Sequence, residues 1–374
     1  MSDSFESLSP DAALSAVEES HGFRLDATLN PYSSYVNRVY GVKREDGESL
    51  VVKFYRPGRW TEEAILEEHR FLLDCVEAEI PVVAPIPGLD GKTLYRARAN
   101  QDGNARAAEG GDAGGNEGAA AGGDAAGNEG AAAGGDAAGN AGGNEGAASG
   151  IPFAVFPKMG GRNFEADGDE DLIRLGALLG RCHAAGIRRD APHRLTCLPG
   201  TLTASFVEEL LSQKLVHPKW APDFARVCHE TLELISPAFE GVALQRIHGD
   251  CHRGNIIDRP GTGLFLIDFD DMMMGPAVQD LWMILPGYAH DSGREIGLLL
   301  SGYQEFHGFD PESLRLIEPL RFMRIIYFLA WRARQRNDFW FRKSFPDWGT
   351  EAFWIKEIED LRSQAEVIRK EQWK

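Results

Sequence analysis

Apolar and polar positions change period along this chain. Short apolar runs over Val36–Val42 and Leu50–Tyr55, joined by Glu45-Asp46-Gly47-Glu48, predict two strands of a hairpin, preceded by a loop over Asn30–Tyr35. Further strands are predicted through Tyr95, after the turn Leu89-Asp90-Gly91-Lys92, and over Ile151–Pro157. Two helices interrupt them. Residues 9–22 carry Ser9 as N-cap, Pro10 at the first helical position and Gly22 beyond the end. Thr61 caps a second helix that reaches about Ala78, with Glu62 and Glu63 in its first turn and Ile65, Leu66, Phe71, Leu72 and Val76 as its packed face. After Lys158 the period becomes helical. Leu172, Leu175, Leu178, Leu179 and Cys182 mark a helix ending near Gly186; others are predicted over 203–214, 222–239, Gly275 to Trp282, 295–307, 311–336 and 350–370. Strands first and helices afterwards predict an α+β protein of two lobes. A small β-rich lobe covers 1–157 and an all-helical lobe 158–374, with Lys158-Met159-Gly160-Gly161-Arg162 as the hinge.

One stretch fits neither period. From Gly110 a Gly/Ala/Asn/Asp unit of twelve residues occupies 110–121, repeats at 122–133, and returns degraded over 134–149. No apolar side chain larger than Ala is available to pack, so ordering entropy goes uncompensated. Residues 98–150 are therefore expected to be a disordered insertion in the turn of a hairpin, tolerated because loop-closure entropy grows only logarithmically with length. A repeat this regular also arises from slippage of the coding sequence without any function, and that is the preferred account.

Composition narrows the class. The 374 residues, 43% hydrophobic, suffice for two domains, and a net charge of −18 argues against nucleic acid as a partner. Cys75, Cys182, Cys197, Cys228 and Cys251 are odd in number and lack metal-type spacing, which fits reduced thiols in the cytoplasm. The N-terminal residues lack a basic and apolar leader pattern, and the most apolar helical run, Ile325–Trp331, is too short to span a bilayer, so no membrane role is expected.

The candidate chemistry lies in Arg246-Ile247-His248-Gly249-Asp250-Cys251-His252-Arg253-Gly254-Asn255. Asp250 precedes Asn255 by five residues; thirteen further on, Asp268 closes the apolar run Leu264–Ile267. Phosphoryl transfer needs such a set: a carboxylate to accept the proton of the attacking hydroxyl, and an amide oxygen with a second carboxylate to hold magnesium. Zinc is disfavoured, because His248 and His252 have only Cys251 as a neighbouring ligand, and His248 is expected to brace the loop. Lys53 interrupts the apolar strand 50–55. It is either an edge-strand lysine or the lysine that holds ATP phosphates; the Glu-rich helix after it favours the second. Glu67 and Glu68 compete to be its partner, with Glu68 preferred. Asp270 and Asp271 could line an acidic pocket for a small cationic substrate or tie down local backbone, and Asp280 can hydrogen-bond the catalytic loop.

These residues resemble a known family. His248-Gly249-Asp250 with Asn255, and Ile267-Asp268-Phe269-Asp270, are similar to motifs of the aminoglycoside and choline kinase group of the protein-kinase-like fold. Ser34–Tyr40, Val51–Pro57, Ile65–His69, Phe153–Pro157, Gly160–Ala166, Gly275–Trp282 and Ile317–Arg321 extend the likeness to the bacterial stress response kinases within it. The resemblance implies a bilobal fold and ATP- and Mg2+-dependent phosphorylation of Ser and Thr in proteins during envelope and oxidative stress. It implies Asp250 as proton acceptor, Asn255 and Asp268 as magnesium ligands with Asp268 also catalytic, Ser34 as an ATP contact and Lys53 as phosphate support. The expected protein is a cytoplasmic monomer. A small-molecule hydroxyl kinase of the aminoglycoside, choline or homoserine kinase type is the alternative; intact Lys53, Asp250, Asn255 and Asp268 argue against a nucleotide-binding scaffold. Three departures from ordinary protein kinases stand out. No Gly-x-Gly-x-x-Gly precedes Lys53, so Ser33 and Ser34 must cover the phosphates. Gly249 stands where those kinases carry Arg, and Asp270 where they carry Gly. No activation-loop switch is therefore expected.

Overall fold

The structure is a computed structural model that describes Phe5, residues 8–32, Ser34, 36–98 and 150–371. Ser33 and most of the predicted insertion lie outside the described residues. Helix α1 (Pro10–His21) begins at Ser9, whose side chain accepts from the Ala12 amide, and ends at Gly22, left-handed at φ 69°. Strands β1 (Leu25–Tyr32), β2 (Arg38–Arg44) and β3 (Ser49–Phe54) lead to α2 (Glu62–Glu77), capped by Thr61. Strands β4 (Tyr95–Ala97) and β5 (Ile151–Pro157) complete an antiparallel sheet in the order β1-β2-β3-β5-β4. Pairing of Tyr95 with Phe153 and of Ala97 with Ile151 closes the hairpin that carries the predicted insertion.

Strand β1 corrects the first part of the loop expected over Asn30–Tyr35; Ser34 lies outside any strand, and Ser33 and Tyr35 lie outside the described residues. Asn30, Pro31 and Tyr32 pair with Gly41, Tyr40 and Val39. The strand lies at the sheet edge, where Pro is tolerated and half the positions meet water, and its register shifts between Leu25 and Leu29 around Ala27 at φ 63°. A polar, bulged edge strand shows no period of two. Strand β3, by contrast, is central. Leu50, Val52 and Phe54 pack toward α1 with Val17, Phe153 and Val155, and alternation sends Lys53 to the opposite face. The edge-lysine reading is thereby excluded.

The second lobe contains β6 (Arg162–Asn163), α3 (Asp169–Gly186), α4 (Ala204–Ser212), α5 (Ala221–Ile235), β7 (Gln245–Ile247), β8 (Ile256–Arg259) and β9 (Gly263–Leu266). Strand β10 (Met273–Gly275) and helices α6 (Val278–Trp282), α7 (Gly293–Tyr303), α8 (Ile317–Gln335), α9 (Phe339–Ser344) and α10 (Glu351–Glu371) follow. It is mostly helical but not all-helical. Strands β6, β8 and β9 form a small sheet, and β7 pairs with β10, so the helix expected from Gly275 starts only at Val278. Strands of two to four residues are too short for periodicity to register. Helices α3 and α7 cross through glycines: a Cβ at Gly176 would overlap the Leu299 carbonyl, and one at Gly302 the Ile173 carbonyl. Among the described residues no helix is long and apolar enough to cross a membrane.

Candidate active site

The loop after β7 is built by buried hydrogen bonds. Asp280, at the start of α6, accepts the His248 and Gly249 amides at 2.7 and 2.8 Å and is held by His183 at 2.9 Å. Burial alone would raise this carboxyl; the His183 contact, the nearby His248 and the Gly249 amide outweigh it and hold Asp280 below its ordinary value. His248 donates through Nε2 to the Ile267 carbonyl at 2.8 Å and packs on Phe269, bracing the loop against the strand that ends at the second carboxylate. Gly249 is left-handed at φ 82°, and a Cβ there would overlap the Asp271 carbonyl, so the turn requires glycine.

This scaffold presents Asp250 and Asn255 together. The Asn255 amide nitrogen donates to the Asp250 backbone carbonyl at 2.9 Å and lies 3.5 Å from its Oδ2, which leaves the amide oxygen available as a ligand. His252 Nε2 is 3.6 Å from the same Oδ2. The other carboxylate oxygen, Oδ1, is taken by Arg324 of α8. Asp268 follows β9 with φ 59°, a left-handed conformation that turns the chain out of the strand line, and its side chain is 39% exposed.

Across the cleft, Lys53 Nζ lies 2.9 Å from Asp270 Oδ1, 3.2 Å from Asp268 Oδ1 and 3.7 Å from Glu68 Oε1. Burial opposes its charge, but these carboxylates prevail and hold the ammonium pKa well above its ordinary value. Glu68, not Glu67, is thus the glutamate beside Lys53; Glu67 accepts the His193 amide at 3.0 Å. Ser34 stands one step away. Its Oγ accepts the Asn37 amide at 3.3 Å, and Asn37 Nδ2 donates to Asp270 Oδ2 at 3.2 Å.

Asp270 and Asp271 tie down structure rather than line a pocket. Asp270 is shared by Lys53, Asn37 and Arg59, and the two cations hold its carboxyl below the usual range against the effect of burial. Asp271 accepts from Arg59 at 3.0 Å and Tyr327 at 3.2 Å, and burial pushes it up to about 7. Arg194 clamps the assembly. It donates to the carbonyls of Met272 at 2.7 Å, Ala64 at 3.3 Å and Asp270, sits 3.8 Å from Glu68, and lies over the Trp60 ring at 3.9 Å. One side chain therefore joins α2 to the segment after Asp268. Sequence reasoning missed Arg59, Arg194 and Arg324: none lies in a spaced motif, and arginine ordinarily reads as surface. The five cysteines are unpaired and buried; burial pushes Cys197 to about 12 and Cys251 well above its ordinary value, so neither is a nucleophile.

A lysine-bearing antiparallel sheet facing an Asp–Asn loop on a helical body defines a kinase-like phosphotransferase fold. The sequence profile of the phosphotransferase enzyme family matches residues 28–132 and 131–317, and the chain belongs to that family. It is 34% identical to "Stress response kinase A" of Escherichia coli (strain K12) over 98% of this chain and 95% of that one. It is 32% identical to "Serine/threonine protein kinase RdoA" of Salmonella typhimurium over 97% and 94%. Among solved structures, amicoumacin kinase hAmiN in complex with AMP-PNP, Ca2+ and Ami superposes with a TM-score of 0.67 at 16% identity, covering 96% of this chain and 94% of that one; the fold is shared.

Proposed function

We propose that the protein is an ATP- and Mg2+-dependent kinase that phosphorylates Ser and Thr of proteins in a cytoplasmic stress response. The observation that carries the reading is that the Asp250–Asn255 loop is pinned beside Asp268, through His248 on the Ile267 carbonyl and the Ile267 amide on the Asn255 carbonyl, while Asp268 meets Lys53, itself beside Glu68. Likeness to "Serine/threonine protein kinase RdoA" supports the choice of acceptor.

Asp250 acts as the base. Its Oδ1 is held by Arg324, so Oδ2 is the oxygen that takes the proton of the acceptor hydroxyl. Lys53, fixed by buried carboxylates, steadies the phosphates, and the loop around Ser34 covers them. Asn255 and Asp268 would hold magnesium, which when bound neutralises the phosphate oxygens. The donor set fits that ion: one amide oxygen and one partly exposed carboxylate are hard ligands. Two protein ligands leave the remaining positions of the ion to phosphate and water. The chain passes from the first lobe to the second at Pro157–Lys158, where β5 ends. Arg194 already joins α2 to the segment after Asp268, which supports a kinase without an activation-loop switch. The protein works as a cytoplasmic monomer with neither nucleic acid nor membrane as partner.

The small-molecule reading draws on the amicoumacin kinase likeness. Incubation with radiolabelled ATP, magnesium and either a generic protein or a panel of amino alcohols and aminoglycosides separates the two. Phosphoserine or phosphothreonine in the protein lane is expected; labelling of a small acceptor alone overturns the reading.

A further inference from the structure

The carboxylate proposed as the base does not stand alone. Arg324 reaches from α8 onto Asp250 Oδ1, and its guanidinium, only 14% exposed, lies 5.1 Å from the Tyr327 ring centroid. Tyr327 in turn donates to Asp271, which Arg59 also holds. Of the nearby carboxylates that could greet an ammonium, Asp270 and Asp271 are already spent on Arg59, Lys53, Asn37 and Tyr327, and the partly exposed Asp268 lies 3.2 Å from the Lys53 ammonium. The cavity flanking Gly249 measures about 30 Å3, room for one or two waters. Cys197, Thr203, Phe206, Gln279 and Met323 help to line it, and Arg324 is the single charged residue among its lining. An acceptor thus meets a fixed cation beside the base and no spare anion in that wall.

We propose that Arg324 is the acceptor-discriminating residue, which turns away hydroxyls borne beside an ammonium and favours Ser or Thr flanked by carboxylates. The inference rests on the kinase reading above and names the acceptor class for that site. A buried guanidinium keeps its charge at every working pH. Like charges a few ångströms apart in a partly buried cleft are worth at least about ten-fold in acceptor preference, and opposite charges the same in the other sense. The acidic protein as a whole would favour cationic acceptors, so a preference for acidic flanks is a local effect that bulk charge cannot mimic.

The test uses the full chain and two Ser peptides of equal length, one with Glu flanks and one with Lys flanks, with choline as a small cationic acceptor. Transfer from ATP gives kcat/KM; fluorescence anisotropy of labelled peptides with AMP-PNP and magnesium gives binding without chemistry. In the wild type the Glu peptide is expected to lead by about ten-fold in both arms, with choline unlabelled. Arg324→Met brings the ratio near one, Arg324→Glu inverts it, and Arg324→Lys keeps it, which a merely structural role would not do. An unchanged ratio in Arg324→Met, or an equal loss for every acceptor, overturns the proposal and leaves Arg324 as a prop for Asp250. Absence of transfer to any acceptor brings down the kinase reading instead, while the binding arm still decides the charge rule.

Discussion

Arg194→Met isolates the clamp between α2 and the segment after Asp268. The guanidinium donates to three buried carbonyls and sits beside Glu68 over Trp60. Met fills much of the stem volume but supplies no donor. Each abandoned carbonyl costs about 1 kcal/mol, and Glu68 loses one of its two counter-charges. Removing one partner of a buried charge network costs about 3–5 kcal/mol in total. At about 1.5 °C per kcal/mol for a chain of this size, Tm falls by about 4–8 °C by differential scanning fluorimetry. Function suffers in a particular way, because Glu68 steadies Lys53. KM for ATP rises by about ten-fold, with a smaller change in KM for the acceptor. Arg194→Lys keeps the charge but lacks the fork that reaches three acceptors, so it recovers only part of both losses. A Tm within about 2 °C of wild type with an unchanged KM for ATP refutes the clamp.

Other outcomes follow from the same geometry. Asp250→Asn abolishes transfer but leaves nucleotide binding largely intact, whereas Asp268→Ala also weakens magnesium-dependent nucleotide binding; calorimetry and a turnover assay on both variants check this. Replacing residues 100–149 by a short Gly-Ser turn leaves Tm and turnover unchanged, because the flanking strands β4 and β5 pair with each other directly; a large loss in either shows that the segment packs on the fold. Asp271, raised to about 7, holds its proton more tightly folded than unfolded. Its contribution is full below the ordinary carboxylate range and is lost as pH climbs through about 7, so Asp271→Asn loses less Tm than wild type between about pH 5 and 8. Asp270, held low, acts in the opposite sense and matters only on acidification; parallel Tm curves for wild type and Asp271→Asn argue against the raised carboxyl.

What the sequence by itself determined was local. Ser9, Gly22 and Thr61 mark helix ends because capping is decided within one turn of chain. The spacing of Asp250, Asn255 and Asp268 was legible because the short loop and hairpin between them leave little freedom in where the side chains go. Lys53 was legible as a charge inside an apolar run. The tertiary structure decided what depends on distant partners. Glu67 and Glu68 are neighbours in sequence, and only the packing of α2 turns Glu68 to Lys53 and Glu67 to His193. Strand β1 exists through its pairing with β2, since its own residues are polar and bulged. Asp270 and Asp271 could equally have formed an open acidic pocket until Arg59, 212 positions from Asp271, closed on them. Arg324 lies 74 positions from the carboxylate it holds. A long cationic side chain gives no periodic signal, and whether it meets water or a buried carboxylate is settled by the fold that surrounds it.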